Sequence, residues 1–224
     1  MSINLTNWVC LSLLTNLSLQ FRDKSGVSSQ IKYIDVLSLE PDYLKAFPKA
    51  VHALMFAFSP TPKHEEFRNK QTEDKQLDSK VFFVKQTFEN SSVIVAMIHT
   101  IANNKDSVSF GENSSLKNFI DAAGDASPDE RGKLLEKNEA LLSDFKSAAE
   151  GFVRQEGGDH CNVTVLVEVN GHLYEIDGQI DRPIDHGPLS DKSFLENAGQ
   201  VCKQYTEQAK DEVRFSAVAL VKDA

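Results

Sequence analysis

Residues 92–102, SVIVAMIHTIA, are apolar almost all the way round a helical wheel, which predicts a helix buried in the middle of a domain. Shorter apolar runs at 52–58, HALMFAF, and 80–85, KVFFVK, predict buried strands. Residues 8–21, WVCLSLLTNLSLQF, carry Thr15, Asn16 and Ser18 and lack a basic flank before them. They are too short to span a bilayer and read as an amphipathic first helix. The polar stretch 61–79 predicts a surface excursion, partly helical. A helix is expected from Asn113-Ser114-Ser115 to about Ala123. Ser127-Pro128-Asp129-Glu130 has the form of a capping box with a first-turn proline, so a second helix should run to about residue 149. Residues 150–160, EGFVRQEGGDH, read as a polar, glycine-rich loop. Residues 193–209 predict an amphipathic helix, and 213–221, VRFSAVALV, a closing core strand. The pattern is that of an α/β (α+β) protein, with a mainly antiparallel central sheet flanked by helices, in a single domain over residues 1–224.

One local signal carries long-range information. The runs CNVTVLVEV (161–169) and HLYEI (172–176) flank Asn170-Gly171, the dipeptide most typical of a two-residue hairpin turn. Such a turn pairs Val169 with His172, so directly opposed residues have numbers that add to 341. Asn162 then faces Gln179 and Asp177 faces Thr164. Asn162 and Asp177 become diagonal neighbours on one sheet face, roughly 7–8 Å apart at the backbone. A histidine at 162 would make this pair a base with its orienting carboxylate, with the nucleophile supplied from elsewhere. The start of the 92–102 helix is the candidate, because the helix dipole there favours an anion. Immediately before it stands Gln86-Thr87-Phe88-Glu89-Asn90-Ser91-Ser92.

Composition narrows the classes. A chain of 224 residues, 41% hydrophobic, is long enough for one sizeable core. A net charge of −9 argues against a nucleic-acid binder and against adhesion to anionic membranes. Cys10, Cys161 and Cys202 share no metal-ligand or CxxC spacing. An odd, sparse set fits a reducing compartment, so a cytoplasmic or nuclear location is expected. Cys161 and Cys202 read as buried thiols, and His99 as a hydrogen-bonded core histidine. No cluster suggests a metal, and no cofactor is expected.

The segments KVFFVKQTFENSSVIVAMIHTIANNKD (80–106), NGHLYEIDG (170–178), PIDHG (183–187) and VRFSAVAL (213–220) resemble the ubiquitin carboxyl-terminal hydrolases, peptidase family C12. The similarity is greatest to the short, single-domain animal members and runs over nearly the whole chain, with Trp8 in register. The resemblance implies a papain-like cysteine-protease core, a knotted backbone, a crossover loop at about 150–160, and ubiquitin or a ubiquitin-like protein as partner of a monomeric chain. The family's nucleophile segment reads roughly Gln-Thr-x-x-Asn-x-Cys-Gly-Thr. Gln86, Thr87 and Asn90 match it; Gln86 corresponds to the oxyanion donor. Ser92 stands at the cysteine, with Val93-Ile94 for Gly-Thr. The catalytic histidine lies fifteen residues before the aspartate of LYE-x-DG, which makes Asn162 its substitute and Asp177 the aspartate. Ubiquitin contacts are implied for Leu11, Glu212, Val213, Arg214, Phe215 and Ser216. The N-terminal Pro-Leu-Glu-x-Asn-Pro pattern of the family keeps only Leu11.

These departures bear on activity. Asn162 cannot take a proton at any ordinary pH, so Ser92 has no base beside it. Losing nucleophile and base together lowers turnover by a factor on the order of 10⁶ in a serine protease. Val93 puts a β-branched side chain where glycine is expected. His160 would need a register shift to serve, and Cys161 points to the opposite face. The expectation is an inactive ubiquitin-binding protein. The alternatives are an active deubiquitinase working through an unrecognised residue, and a relic scaffold with a different partner. Ser92 alone could be a trapping substitution; Asn162 and Val93 point to natural divergence. Gln86 and Asp177 also admit a structural role, as partner of local backbone and of Asn162.

Overall fold

The computed structural model describes residues 10–47, 50–71, 80–150, 162–208 and 215–222. The sheet comprises β1 (Ile31–Asp35), β2 (Val51–Phe58), β3 (Asn162–Val169), β4 (His172–Ile176), β5 (Ile184–Pro188) and β6 (Phe215–Lys222). Its order is β1-β6-β2-β3-β4-β5, and each neighbouring pair is antiparallel. The helices are α1 (Cys10–Lys24), α2 (Pro41–Ala46), α3 (Pro62–Gln71), α4 (Ser92–Ala102), α5 (Ser115–Ala122), α6 (Pro128–Glu136), α7 (Glu139–Ala149) and α8 (Phe194–Gln208).

The central strands read as continuous apolar runs because the sheet is covered on both faces. Ala53, Met55 and Ala57 of β2 join a core built with α1 and α4 to α7. The alternate residues Leu54, Phe56 and Phe58 join a second core with α2 and α8. In β3, Val163, Val165 and Val167 face the first core and Leu166 the second. Asn162 and Thr164 share the parity of Leu166, so strand alternation turns them to the α8 side. The hairpin forms as expected: Asn170 and Gly171 have φ of 52° and 78°, as the turn requires, and Val169 pairs with His172.

Three expectations are corrected. Residues 80–85 join no strand. Their backbone N–H groups are satisfied instead by His99 of α4, by Asn103 just past its end and by Pro128 at the start of α6. Val84 N–H donates to His99 Nε2 at 2.9 Å, and Asn103 Oδ1 accepts from Phe82 N–H at 2.8 Å. Lys85 N–H donates to Pro128 O at 3.0 Å and Gln86 N–H to Gly178 O at 2.8 Å. The capping box at Ser127 and Glu130 is present, but the helix it starts stops at Glu136. Asn138 Oδ1 accepts from Leu141 N–H at 3.0 Å and starts a separate helix, α7, because a short side-chain acceptor competes with continued helix. The polar stretch after residue 61 is not wholly a surface excursion, since His64 and Arg68 of α3 are buried. The 150–160 loop lies, from residue 151 on, outside the described residues, as do Trp8, His160 and Cys161.

Candidate functional site

The diagonal contact implied by the hairpin is present. Asn162 Nδ2 donates to Asp177 Oδ2 at 3.0 Å, with both side chains buried. The ladder from Val165–Ile176 to Val169–His172 keeps the sum of 341 that places them together. Asp177 has two further donors. Gln179 N–H reaches Oδ1 at 2.8 Å, and the Arg68 guanidinium reaches Oδ2 through Nη2 at 2.5 Å. Burial lifts the Asp177 carboxyl above its ordinary range, against the opposing pull of Arg68 and the Gln179 N–H.

Arg68 was not legible as a site residue. It is 5% exposed, and its Nε also lies 3.6 Å from Glu175 Oε1. Burial disfavours its charge, but the two carboxylates hold it cationic. Glu175 is fully buried; burial raises its carboxyl, and the opposing His186 hydrogen bond, Arg68 charge and Tyr205 hydroxyl bring it below its usual range. His186 Nε2 lies 3.0 Å from Glu175 Oε2, Thr164 Oγ1 donates to Oε1 at 3.3 Å, and Tyr205 OH donates to Oε1. Asn162 and Asp177 therefore sit at one end of a buried polar network that ties α3, β3, β4, β5 and α8 together. The only sequence signal for it was the spacing of two between Glu175 and Asp177 in LYEIDG, which puts both acids on the same strand face as Asn162.

Gln86 comes to the same place from the other side. Gly178, next to Asp177, accepts the Gln86 N–H. A Cβ on Gly178 would lie 2.9 Å from Val95 Cγ1 and 3.1 Å from Gln86 Cβ. The end of β4, Gln86 and the first turn of α4 are thus packed too closely for any side chain at 178. The Gln86 side chain directs Nε2 at Phe88 O, 3.4 Å away, which leaves Oε1 buried with no donor.

Ser92 is the first residue of α4 and is half-buried. Among the described residues it makes no side-chain hydrogen bond to Asn162, Asp177 or any other group. The preceding turn is tight: Asn90 has φ of 60°, and Ser91 Oγ donates to Phe88 O at 2.6 Å. Val93 is half-buried and packs against the core on the α4 face of the sheet. The arrangement places a hydroxyl at a helix start and an amide on a carboxylate. Neither can remove a proton from the other.

The other titratable candidates have structural partners. His99 is buried against Val84 N–H, and burial lowers its pKa to about 3, so it stays neutral. Cys202 is buried, which pushes its thiol up and makes it unreactive. His172 Nδ1 lies 3.1 Å from Asp185 Oδ2. Among the described residues no group of His, Cys, Asp and Glu could hold a metal ion, and no helix is long and apolar enough to cross a membrane.

Two of the expected ubiquitin contacts are corrected. Phe215 and Ser216 are 1% and 0% exposed; they pair with Phe58 and Ala57 of β2, and Phe215 lies in the core on the α8 side. Phe215 stacks on Phe56 at 5.6 Å and offers no surface to a partner. Leu11 lies in the first turn of α1, and Glu212, Val213 and Arg214 fall outside the described residues.

Comparison with known proteins agrees with this architecture. Residues 8–207 match the family described as ubiquitin carboxyl-terminal hydrolase, family 1. The ubiquitin carboxyl-terminal hydrolase isozyme L1 of Monodelphis domestica is 43% identical over 203 residues, covering 89% of this chain and 91% of the relative. The Homo sapiens isozyme L1 is 40% identical over 203 residues, with the same coverage. In three dimensions the chain is similar to the Trichinella spiralis UCH37 catalytic domain bound to ubiquitin vinyl methyl ester. The TM-score is 0.77 and the identity 23%, over 97% of this chain and 96% of the other. With a match of this length, a six-stranded antiparallel sheet and a papain-like arrangement of helices around it, the chain belongs to the ubiquitin carboxyl-terminal hydrolase family.

Proposed function

We propose that this protein binds ubiquitin and does not hydrolyse bonds at its C-terminus. The observation that carries the second half is the Asn162–Asp177 hydrogen bond at 3.0 Å. The carboxylate that would orient a general base is occupied by an amide that cannot act as one. Ser92 lacks a base, and a serine hydroxyl is far harder to deprotonate than a thiol. The first half rests on family membership and on a structural relative, the Trichinella spiralis UCH37 catalytic domain, solved bound to ubiquitin vinyl methyl ester. A ubiquitin titration paired with a turnover assay on a fluorogenic C-terminal amide of ubiquitin tests both halves on one sample. Binding without turnover is expected. Turnover abolished by Asp177→Ala or Gln86→Ala would refute inactivity. Absence of binding at high micromolar ubiquitin would refute the partner and favour a relic scaffold.

A further inference from the structure

The tip of the β3–β4 hairpin is Asn170-Gly171, and both residues are exposed. Their φ angles of 52° and 78° are those of a type I′ turn. A Cβ built on Gly171 would meet nothing within 4 Å, so the tip stands in open solvent. Lys80 Nζ donates to Asn170 Oδ1 at 3.3 Å, from the start of the 80–85 segment.

An asparagine carries its own electrophile, the amide carbon Cγ, within five-membered-ring reach of the next residue's nitrogen. A Cβ on that next residue crowds the approach; glycine has none. In a type I′ turn the peptide between Asn170 and Gly171 faces away from Cγ. Flipping this one peptide converts type I′ into type II′, in which ψ of the first turn residue is about −120°. That rotation brings the Gly171 nitrogen onto Asn170 Cγ. Both turn types close a two-residue hairpin. The flip therefore leaves Val169 paired with His172, and the Gly171 carbonyl on the Leu189 N–H at 2.8 Å. Glycine accepts either sign of φ, so the strain of the flipped turn falls on Asn170 alone.

We propose that Asn170 is a site of spontaneous deamidation, through a cyclic imide formed with Gly171 and accelerated by Lys80. The Gly171 nitrogen gives its proton to solvent and bonds to Asn170 Cγ. The Cγ–Nδ2 bond breaks, and Nδ2 leaves as ammonia with a proton from solvent. Water then opens the imide at Cγ to give aspartate, or at the main-chain carbonyl to give isoaspartate. Lys80 faces the oxygen that carries negative charge while the ring closes. Water is the only co-reactant. The isoaspartate product adds one atom to the main chain of a two-residue turn, so the hairpin that sets the register of Asn162 and Asp177 ages at its tip. The reaction does not depend on ubiquitin binding.

The test is incubation of the intact protein at neutral pH, followed by peptide mapping in a mass spectrometer with electron-based fragmentation, which separates aspartate from isoaspartate. Asn170 should deamidate roughly tenfold or more faster than Asn90 and Asn113, which are also exposed but precede serine. Both products should form. Lys80→Gln, at an exposed position, should slow the loss of Asn170 by about two- to fivefold. Loss no faster than at Asn90 and Asn113 would overturn the site. Aspartate without isoaspartate would mean direct hydrolysis and overturn the imide. An unchanged rate in Lys80→Gln would overturn the part given to Lys80.

Discussion

His99 makes stability depend on pH with a sign and size that follow from its surroundings. It is fully buried in α4, its Nε2 accepts the Val84 N–H at 2.9 Å, and its ring lies 5.8 Å from that of Phe83. Burial is the main cause that lowers its pKa from 6.5 to about 3, and the nearby Arg131 charge adds to it. In the unfolded chain the imidazole takes up a proton near pH 6.5; in the folded chain it does not until about pH 3. Between those values unfolding binds one proton more, so stability is fully present above pH 6.5 and falls as pH drops. The loss is ~1.4 kcal/mol per pH unit, or roughly 5 kcal/mol over the whole window. His99→Gln keeps an acceptor for Val84 but cannot take a proton. Urea unfolding at pH 7, 6, 5 and 4.5, in the parent and in His99→Gln, isolates this one group, because every carboxylate contributes to both. The variant should be less stable at pH 7 by ~1–3 kcal/mol through lost packing. Its stability should fall less steeply below pH 6, by ~1.4 kcal/mol per pH unit. Coincident slopes would refute the buried, neutral histidine.

Other perturbations probe the site and its supports. Arg68→Met strips the cation from Asp177 and Glu175 and should cost about 3–5 kcal/mol in urea unfolding at pH 7; a loss below ~1 kcal/mol would show that the ion pair is not structural. Asn162→Asp sets a second carboxylate against Asp177 in place of a donor at 3.0 Å, so one of the two must be held protonated. Its folded pKa is raised, so the added penalty should be absent near pH 4 and grow to roughly 1–4 kcal/mol by pH 7, opposite in sign to the His99 effect. A penalty independent of pH would contradict that reading. Gly132→Ala in α6 would put a Cβ 2.3 Å from Lys85 O and 2.5 Å from Thr87 Cγ2. It should lower the urea midpoint by the equivalent of ~1–3 kcal/mol despite the better helix propensity of alanine, and an unchanged or raised midpoint would refute the close packing of α6 on the segment carrying Gln86.

What could be read in advance follows from how local each cause is. A two-residue turn sets strand register without reference to the rest of the chain, so Asn170-Gly171 alone placed Asn162 against Asp177. The buried helix at 92–102 was equally legible, because an all-apolar helix has one destination. Residues 80–85 were misread for the converse reason. Their apolar run indicates burial, but whether an extended segment joins a sheet depends on who supplies its hydrogen bonds. Here His99 and Asn103, fifteen and twenty-one residues away, supply them. Arg68 was illegible because α3 is polar apart from Phe67 and its partner lies 109 positions along the chain.

Arg68 also changes what the presence of Asp177 means. An aspartate at the position of a catalytic carboxylate invites the inference that chemistry remains. In this fold its removal would leave a buried guanidinium facing one carboxylate instead of two, a loss expected whether or not the site turns over anything. Asp177 is therefore no witness to catalysis. Gln86 has no comparable hold. Its backbone N–H bond to Gly178 would be made by any residue other than proline, and its side chain leaves Oε1 without a donor. Of the two positions that match the family's catalytic set, only Gln86 lacks a structural reason for its side chain. The separate effects of Asp177→Asn and Gln86→Leu on ubiquitin affinity and on stability therefore carry different information. The first should fall mainly on stability. The second removes a half-buried amide whose Oε1 already has no donor, so it should cost less stability than the first, and a loss of affinity without a matching loss of stability reports on the site itself.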